Sequence, residues 1–189
     1  MTLPKPYWRS PDGSHVLFCG DAIDILPLLE TGSVDCLLAD PPFAIENQFG
    51  SAKFEVNDGG KGGTRIMQFG WDDKETSANI ARAFTLAIKT LKPSASAFCF
   101  CGFDSARAYS DPFREAGFTV KPAAWVKPYP PPPGKGNWWP SAFELAFYGY
   151  RKSPWFGDDG PTRSNVFVSD TYRHGQPGKV DHPTGFAFF

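Results

Sequence analysis

No run in this chain approaches the roughly 18 uninterrupted apolar residues that a membrane-spanning helix requires. The N-terminal stretch MTLPKPYWRS also lacks the apolar core of a secretory signal, and together these absences point to a cytoplasmic, membrane-free protein. No C-x-x-C spacing occurs. Cys19, Cys36, Cys99 and Cys101 sit inside apolar runs, so they read as small buried side chains rather than zinc ligands or disulfide partners, and no metal site is expected. Histidine is scarce, and His174 and His182 stand alone in a polar tail with no catalytic role to assign. No internal repeat is visible. The chain also has little net charge, -1, but the balance is uneven: residues 1–60 carry 3 Lys/Arg against 9 Asp/Glu, and residues 121–189 carry 8 against 5. A polyanion would be met mainly by the later segments.

What is present is apolar content of 41% over 189 residues, enough for one sizeable core and a single domain over 1–189. HVLFCG (15–20) reads as a buried strand, and DAIDILPLLETG opens on a capping-type aspartate and stops at Gly32, with Pro27 dividing the helix. VDCLLA then reads as a second buried strand, so residues 15–43 suggest a βαβ unit with parallel strands followed by a turn. Residues 45–73 are rich in Gly, Asn and charge without periodicity, and are read as a functional flap. Apolar residues at 80, 84, 87, 88 and 91 predict a helix stopped by Pro93. ASAFCFCGF reads as a strand, SARAYSDPFREAG as a helix, FTVKPAAWVKP as a strand interrupted at Pro122, and SAFELAFYGYRK as a further strand. A polyproline-type loop with the pair Trp138–Trp139 fills 128–140. The alternation predicts an α/β fold with a mostly parallel sheet and one or more late antiparallel strands.

Asp40-Pro41-Pro42-Phe43 falls at the carboxyl end of a predicted parallel strand, where open α/β sheets bind their ligands. Two prolines donate no hydrogen bonds, so they present carbonyl acceptors beside a carboxylate that also accepts. Such a turn suits an NH2 group, and an aromatic ring beside it suits a flat heterocycle such as a base drawn out of a nucleic-acid stack. A strand-ending turn in which Asp40 caps and Phe43 packs in the core accounts for the four residues equally well.

The longer segment GDAIDILPLLETGSVDCLLADPPF resembles the approach to the catalytic motif of the DNA amino-methyltransferases, which methylate adenine N6 or cytosine N4. FGWDD, GFTVKPAAWVKP, SAFELAFYGYRK, SNVFVSD and DHPT resemble later family segments, in the motif order of the circularly permuted members, and the likeness covers 15–184. It implies a Rossmann-like, S-adenosylmethionine-dependent methyltransferase fold acting on double-stranded DNA. It also implies that Asp40 and a carbonyl of Pro41–Pro42 accept hydrogen bonds from the target amine, while Phe43, where Tyr is usual, stacks on the flipped base. Asp at position 40 looks more like the adenine enzymes. Asp21 resembles the acid that contacts the adenosyl moiety, beside its simpler reading as a helix N-cap. Lys127, Lys135, Arg151 and Lys152, grouped about the Pro-rich loop, are candidates for phosphate contacts; the Trp pair is read as a packing anchor or a stacking platform. Glu144 matches a family glutamate whose role does not follow from the residues.

DHPTGFAFF departs from the pattern, because permuted relatives continue into Lys-Pro, a helix and an Asp-Pro-Phe-x-Gly-x-Gly type cofactor loop. The expectation is a C-terminally incomplete sheet, from truncation or a frameshift, a split enzyme whose second chain supplies the loop, or a protein that keeps DNA binding without methylation. A homodimer stays open. The leading reading is a site-specific DNA adenine-N6 methyltransferase, as in restriction-modification systems, with cytosine-N4 methylation and non-catalytic DNA binding as alternatives.

Overall fold

In the computed structural model, residues 2–43, 74–128, 142–152 and 164–168 are described. The flap over 45–73, nearly all of the Pro-rich loop with Lys135, Trp138 and Trp139, and the histidines at 174 and 182 lie outside them.

The chain runs β1 (Trp8–Arg9), β2 (Val16–Leu17), α1 (Ala22–Ile25) with a 3-10 turn over Leu26–Leu28, and β3 (Val34–Ala39). It continues α2 (Lys74–Thr90), β4 (Leu91–Cys101), α3 (Ala106–Glu115), β5 (Thr119–Val126), β6 (Phe143–Tyr150) and β7 (Val166–Val168). One sheet has the order β3-β4-β6-β5-β7, in which β3 pairs parallel with β4, β7 pairs parallel with β5, and β6 runs antiparallel between β4 and β5. The late antiparallel strand is therefore β6. Among the described residues no helix is long and apolar enough to cross a membrane.

The expected βαβ unit over 15–43 is not formed. Val16 and Leu17 pair antiparallel with Arg9 and Trp8 in a separate two-stranded sheet, so the first element never joins β3. The competing partner is local: the Asp12–Gly13 turn, with Gly13 at φ 74, folds residues 8–17 back on themselves as a hairpin. This arrangement also leaves Cys19 and Cys36 exposed, against the expectation that all four cysteines are buried. Cys99 and Cys101, in the central strand β4, are buried, and that burial pushes both thiols up, Cys101 to about 12.

The predicted helical stripe lies along α2, where Phe84, Ala87 and Ile88 are buried and Ile80 packs on the same cluster, but the helix ends at Thr90, so Leu91 opens β4 and Pro93 lies within that strand instead of stopping the helix. Across from it, Tyr109 and Phe113 of α3 are fully buried. Phe113 meets Phe84, Phe118 and Phe147 edge-on at ring separations of 5.4, 5.5 and 5.4 Å. Helix α3 ends where Gly117 takes φ 82: its N–H bonds the Arg114 carbonyl and the Phe118 N–H bonds that of Phe113, which brings the Phe118 ring onto Phe113. Pro122 does not interrupt β5, which is continuous through it. The N–H that Pro122 lacks would point as Ala124's does, toward the β7 side, but β7 begins opposite Ala124 and the Asn165 side chain covers the Pro122 carbonyl instead.

Phe113→Ala is expected to cost about 3–5 kcal/mol, the usual penalty for emptying a fully buried phenylalanine site, read from the midpoint of urea unfolding. In the hairpin, the Ser10 and Ser14 hydroxyls donate to the Asp12 carboxylate and hold its pKa at about 2 instead of 3.8. A depressed folded-state pKa stabilises above 3.8 and ceases to as pH falls toward 2, so the Asp12 carboxyl carbon is expected to titrate near 2 by NMR. A midpoint near 3.8 would mean that the serine contacts do not persist in solution.

Candidate active site

Because β3, β4, β5 and β7 are mutually parallel, their carboxyl ends lie along one rim of the sheet, together with the amino end of β6. Asp40-Pro41-Pro42-Phe43 leaves β3 at this rim, Gly102 leaves β4, Lys127 leaves β5, and Glu144 enters along β6. Asp40 is exposed, and Pro41, Pro42 and Phe43 are half-buried. Phe43 packs against the cluster of Phe100, Ala123, Trp125 and Ala146. The position supports both readings of this ring, as core contact and as stacking surface.

Three residues the sequence did not single out hold the turn. The Tyr109 hydroxyl donates to the Pro42 carbonyl at 2.7 Å. The Gly102 N–H donates to Ser105 Oγ at 3.0 Å, and that oxygen lies 3.4 Å from the Phe43 carbonyl. A Cβ at Gly102 would stand 2.6 Å from the Phe43 carbonyl oxygen, so the turn crosses β4 at a distance that only glycine permits. The available signal was CGFDSARAY, a glycine at a strand end with a serine opening the next helix; Tyr109 itself reads as one more apolar residue of the α3 stripe.

Asp21 is the N-cap of α1, with its carboxylate accepting from the Ile23 N–H at 2.8 Å. It does not follow a strand neighbouring β3, since β2 lies outside that sheet. Lys127 is at the rim but is only 11% exposed; its ammonium pairs with Glu144, 19% exposed, and sits 5.2 Å from the Trp125 ring centre. Arg151 and Lys152 are not grouped with it. Strand β6 carries them to the opposite end of the sheet, eight strand residues away, roughly 25 Å at the usual rise. There Arg151 donates to the Leu91 and Lys92 carbonyls at 3.2 and 3.0 Å and lies over Phe118 at 4.3 Å. Antiparallel β6 is the reason that neighbours in sequence are separated in space.

No protein-family model matches the chain, and no curated protein does. Solved structures do match. The M1.HpyAVI-SAM complex is similar at a TM-score of 0.57 and 20% identity, over 90% of this chain and 70% of that one. M1.HpyAVI alone gives 0.51 at 20% identity, over 82% and 68%. The PvuII DNA methyltransferase (cytosine-N4-specific) gives 0.57 at 14% identity, over 85% of this chain and 58% of its own length. The chain has the fold of the S-adenosylmethionine-dependent methyltransferases. Within this methyltransferase fold, β3 pairs on one side only among the described residues, and both crossover helices pack on the cluster containing Phe84, Tyr109 and Phe113.

Removing one partner of the nearly buried Lys127–Glu144 pair strands the other charge, so Glu144→Ala is expected to cost about 3 kcal/mol. Asp35→Ala, which breaks the exposed Lys92–Asp35 pair, is expected to cost less than about 1 kcal/mol. Equal losses in urea unfolding would show that the Lys127 ammonium is hydrated rather than enclosed.

Proposed function

We propose that this chain carries the amine-binding half of a DNA amino-methyltransferase, transferring a methyl group from S-adenosylmethionine to adenine N6. The observation that carries the reading is the placement of Asp40-Pro41-Pro42-Phe43 at a parallel strand's carboxyl end, with the Pro42 carbonyl engaged by Tyr109. The acceptors this reading assigns to the amine are the Asp40 carboxylate and the Pro41 carbonyl. An exocyclic amine conjugated to its ring is a poor nucleophile, and two acceptors favour a more tetrahedral nitrogen with its lone pair aimed outward. Taking up a methyl group would leave the nitrogen with one proton too many. The surplus amine proton leaves through the hydrogen bond to Asp40, which is open to water. Phe43 offers its ring to the base.

The cofactor, when bound, supplies a methyl group on a positively charged sulfur. An exposed carboxylate suits adenosyl hydroxyls, and Asp21 is exposed, so it fits that part of the cofactor. Among the described residues no glycine-rich turn stands ready for the methionine part, so no step is assigned to protein contacts there. Double-stranded DNA is the partner the reading requires, and a second polypeptide offering the cofactor loop is compatible with the one-sided pairing of β3. Cytosine N4 is the second reading, supported by the likeness in fold to the cytosine-N4-specific PvuII enzyme.

The test is transfer from labelled S-adenosylmethionine to mixed-sequence DNA, followed by separation of the methylated nucleosides. Label in N6-methyladenine with the wild type and none with Asp40→Ala is the expected outcome; label in N4-methylcytosine shifts the assignment to the second reading. Absence of both transfer and cofactor binding in a folded chain leaves non-catalytic DNA binding. Phe43→Ala is expected to weaken base engagement by about 1–3 kcal/mol, measured as the change in kcat/KM for DNA. A loss confined to folding stability would make Phe43 a packing residue.

A further inference from the structure

The hydroxyl of Tyr109 is an unusual thing to place where it lies. The residue is fully buried, its ring meets Phe84 edge-on at 5.6 Å, and the other aromatic rings of the buried cluster are all phenylalanines. A phenylalanine would serve that packing without the cost of burying a hydroxyl, which is tolerated only when the group is hydrogen-bonded. Here the bond goes to the Pro42 carbonyl, 67 positions away in sequence. The recipient is a turn with little means of holding itself, because two consecutive prolines contribute no N–H. Its orientation relative to the sheet must be imposed from outside. The close crossing over Gly102 restricts one side of the turn, and Tyr109 ties the other to α3. Helix α3 is itself fixed at both ends, by buried Ser105 bonded to the Gly102 N–H and by the Gly117 termination that seats Phe118 on Phe113.

We infer that Tyr109 is a positioning residue for methyl transfer, acting through the Pro42 carbonyl to orient Asp40 and the Pro41 carbonyl toward the amine. The inference rests on the methyltransferase reading above. A displacement of about 1 Å in a group that aims a nucleophile costs up to about 10²-fold in rate. Tyr109→Phe, which deletes only the hydroxyl, is therefore expected to lower kcat by at least about tenfold while leaving KM for DNA and for the cofactor within about twofold.

Two measurements test this on the full chain. The dipeptide Pro-Phe occurs only at 42–43 and 112–113, so protein made with carbonyl-13C proline and 15N phenylalanine gives two carbonyl-to-amide NMR signals. In Tyr109→Phe the Pro42–Phe43 carbonyl is expected to move upfield, as a carbonyl losing a hydrogen bond does, with a much smaller change at Pro112–Phe113. The second measurement compares kcat and KM of wild type, Tyr109→Phe and Ile88→Val, the last destabilising the same core from α2 without touching the hold on α3 or the turn. A fall in kcat for Tyr109→Phe alone, at a temperature where all three are folded, supports the inference. An unmoved Pro42–Phe43 signal, an unchanged kcat, or an equal fall in Ile88→Val overturns it. If the wild type transfers no methyl group at all, the methyltransferase reading fails, and the Pro42–Phe43 signal alone decides whether Tyr109 sets the turn.

Discussion

The hydrogen bond from Tyr109 to the Pro42 carbonyl ties the exposed end of β3 to the interior of the molecule, and much of the structure can be followed outward from it. A tyrosine can reach that carbonyl only if α3 is held at a fixed height and rotation over the sheet. The height comes from the start of the helix, where Ser105 joins Gly102 at the end of β4. The rotation comes from the edge-on packing of Phe113 with Phe84, Phe118 and Phe147, which draws on both helices and on β6. The rigidity of the turn is therefore borrowed from the core. Glycine at 102 is the concession on the other side, since the turn passes too close to β4 for any side chain there.

The same packing makes the fold one-sided. Helices α2 and α3 share one hydrophobic cluster, so the crossovers from β3 to β4 and from β4 to β5 lie on the same face of the sheet. Doubly wound sheets bind ligands where the winding reverses, and among the described strands the winding runs one way only, from β3 through β4 to β5. Leu38, 57% exposed, and Cys36 sit on β3 beside the motif. A strand bearing this turn, unpaired on one side among the described residues and apolar on the surface facing away from the helices, has the character of an interior strand.

How much of this was legible in the sequence depends on the range of the forces involved. The helices α2 and α3, and the strands β3 to β6, were readable because apolar periodicity reports burial directly: Phe84 and Ile88 recur at helical spacing, and VDCLLA is continuous. The turn at Asp40 was readable because aspartate and proline carry their conformational and hydrogen-bonding properties with them. HVLFCG misled because an apolar run shows that a strand is favourable without showing its partner, and the nearby Asp12–Gly13 turn offered one first. Tyr109 was invisible for the opposite reason. Its role is a single contact made across 67 positions, and in the local pattern a tyrosine and a phenylalanine at that point look the same.

The basic residues show why charge counts transfer poorly from sequence to surface. Residues 121–189 carry the excess of Lys and Arg, yet two of the four described members of that group, Lys127 and Arg151, are committed to the fold. Lys127 is enclosed with Glu144 beside Trp125, where its ammonium balances a carboxylate at the rim. Arg151 serves the far end of the sheet, its planar guanidinium lying on Phe118 while it bonds two carbonyls at the start of β4. Neither is a loosely held surface cation. If a nucleic acid approaches the rim at Asp40, Lys127 there is already balanced by Glu144, so contacts to phosphates would fall to residues outside the described sheet.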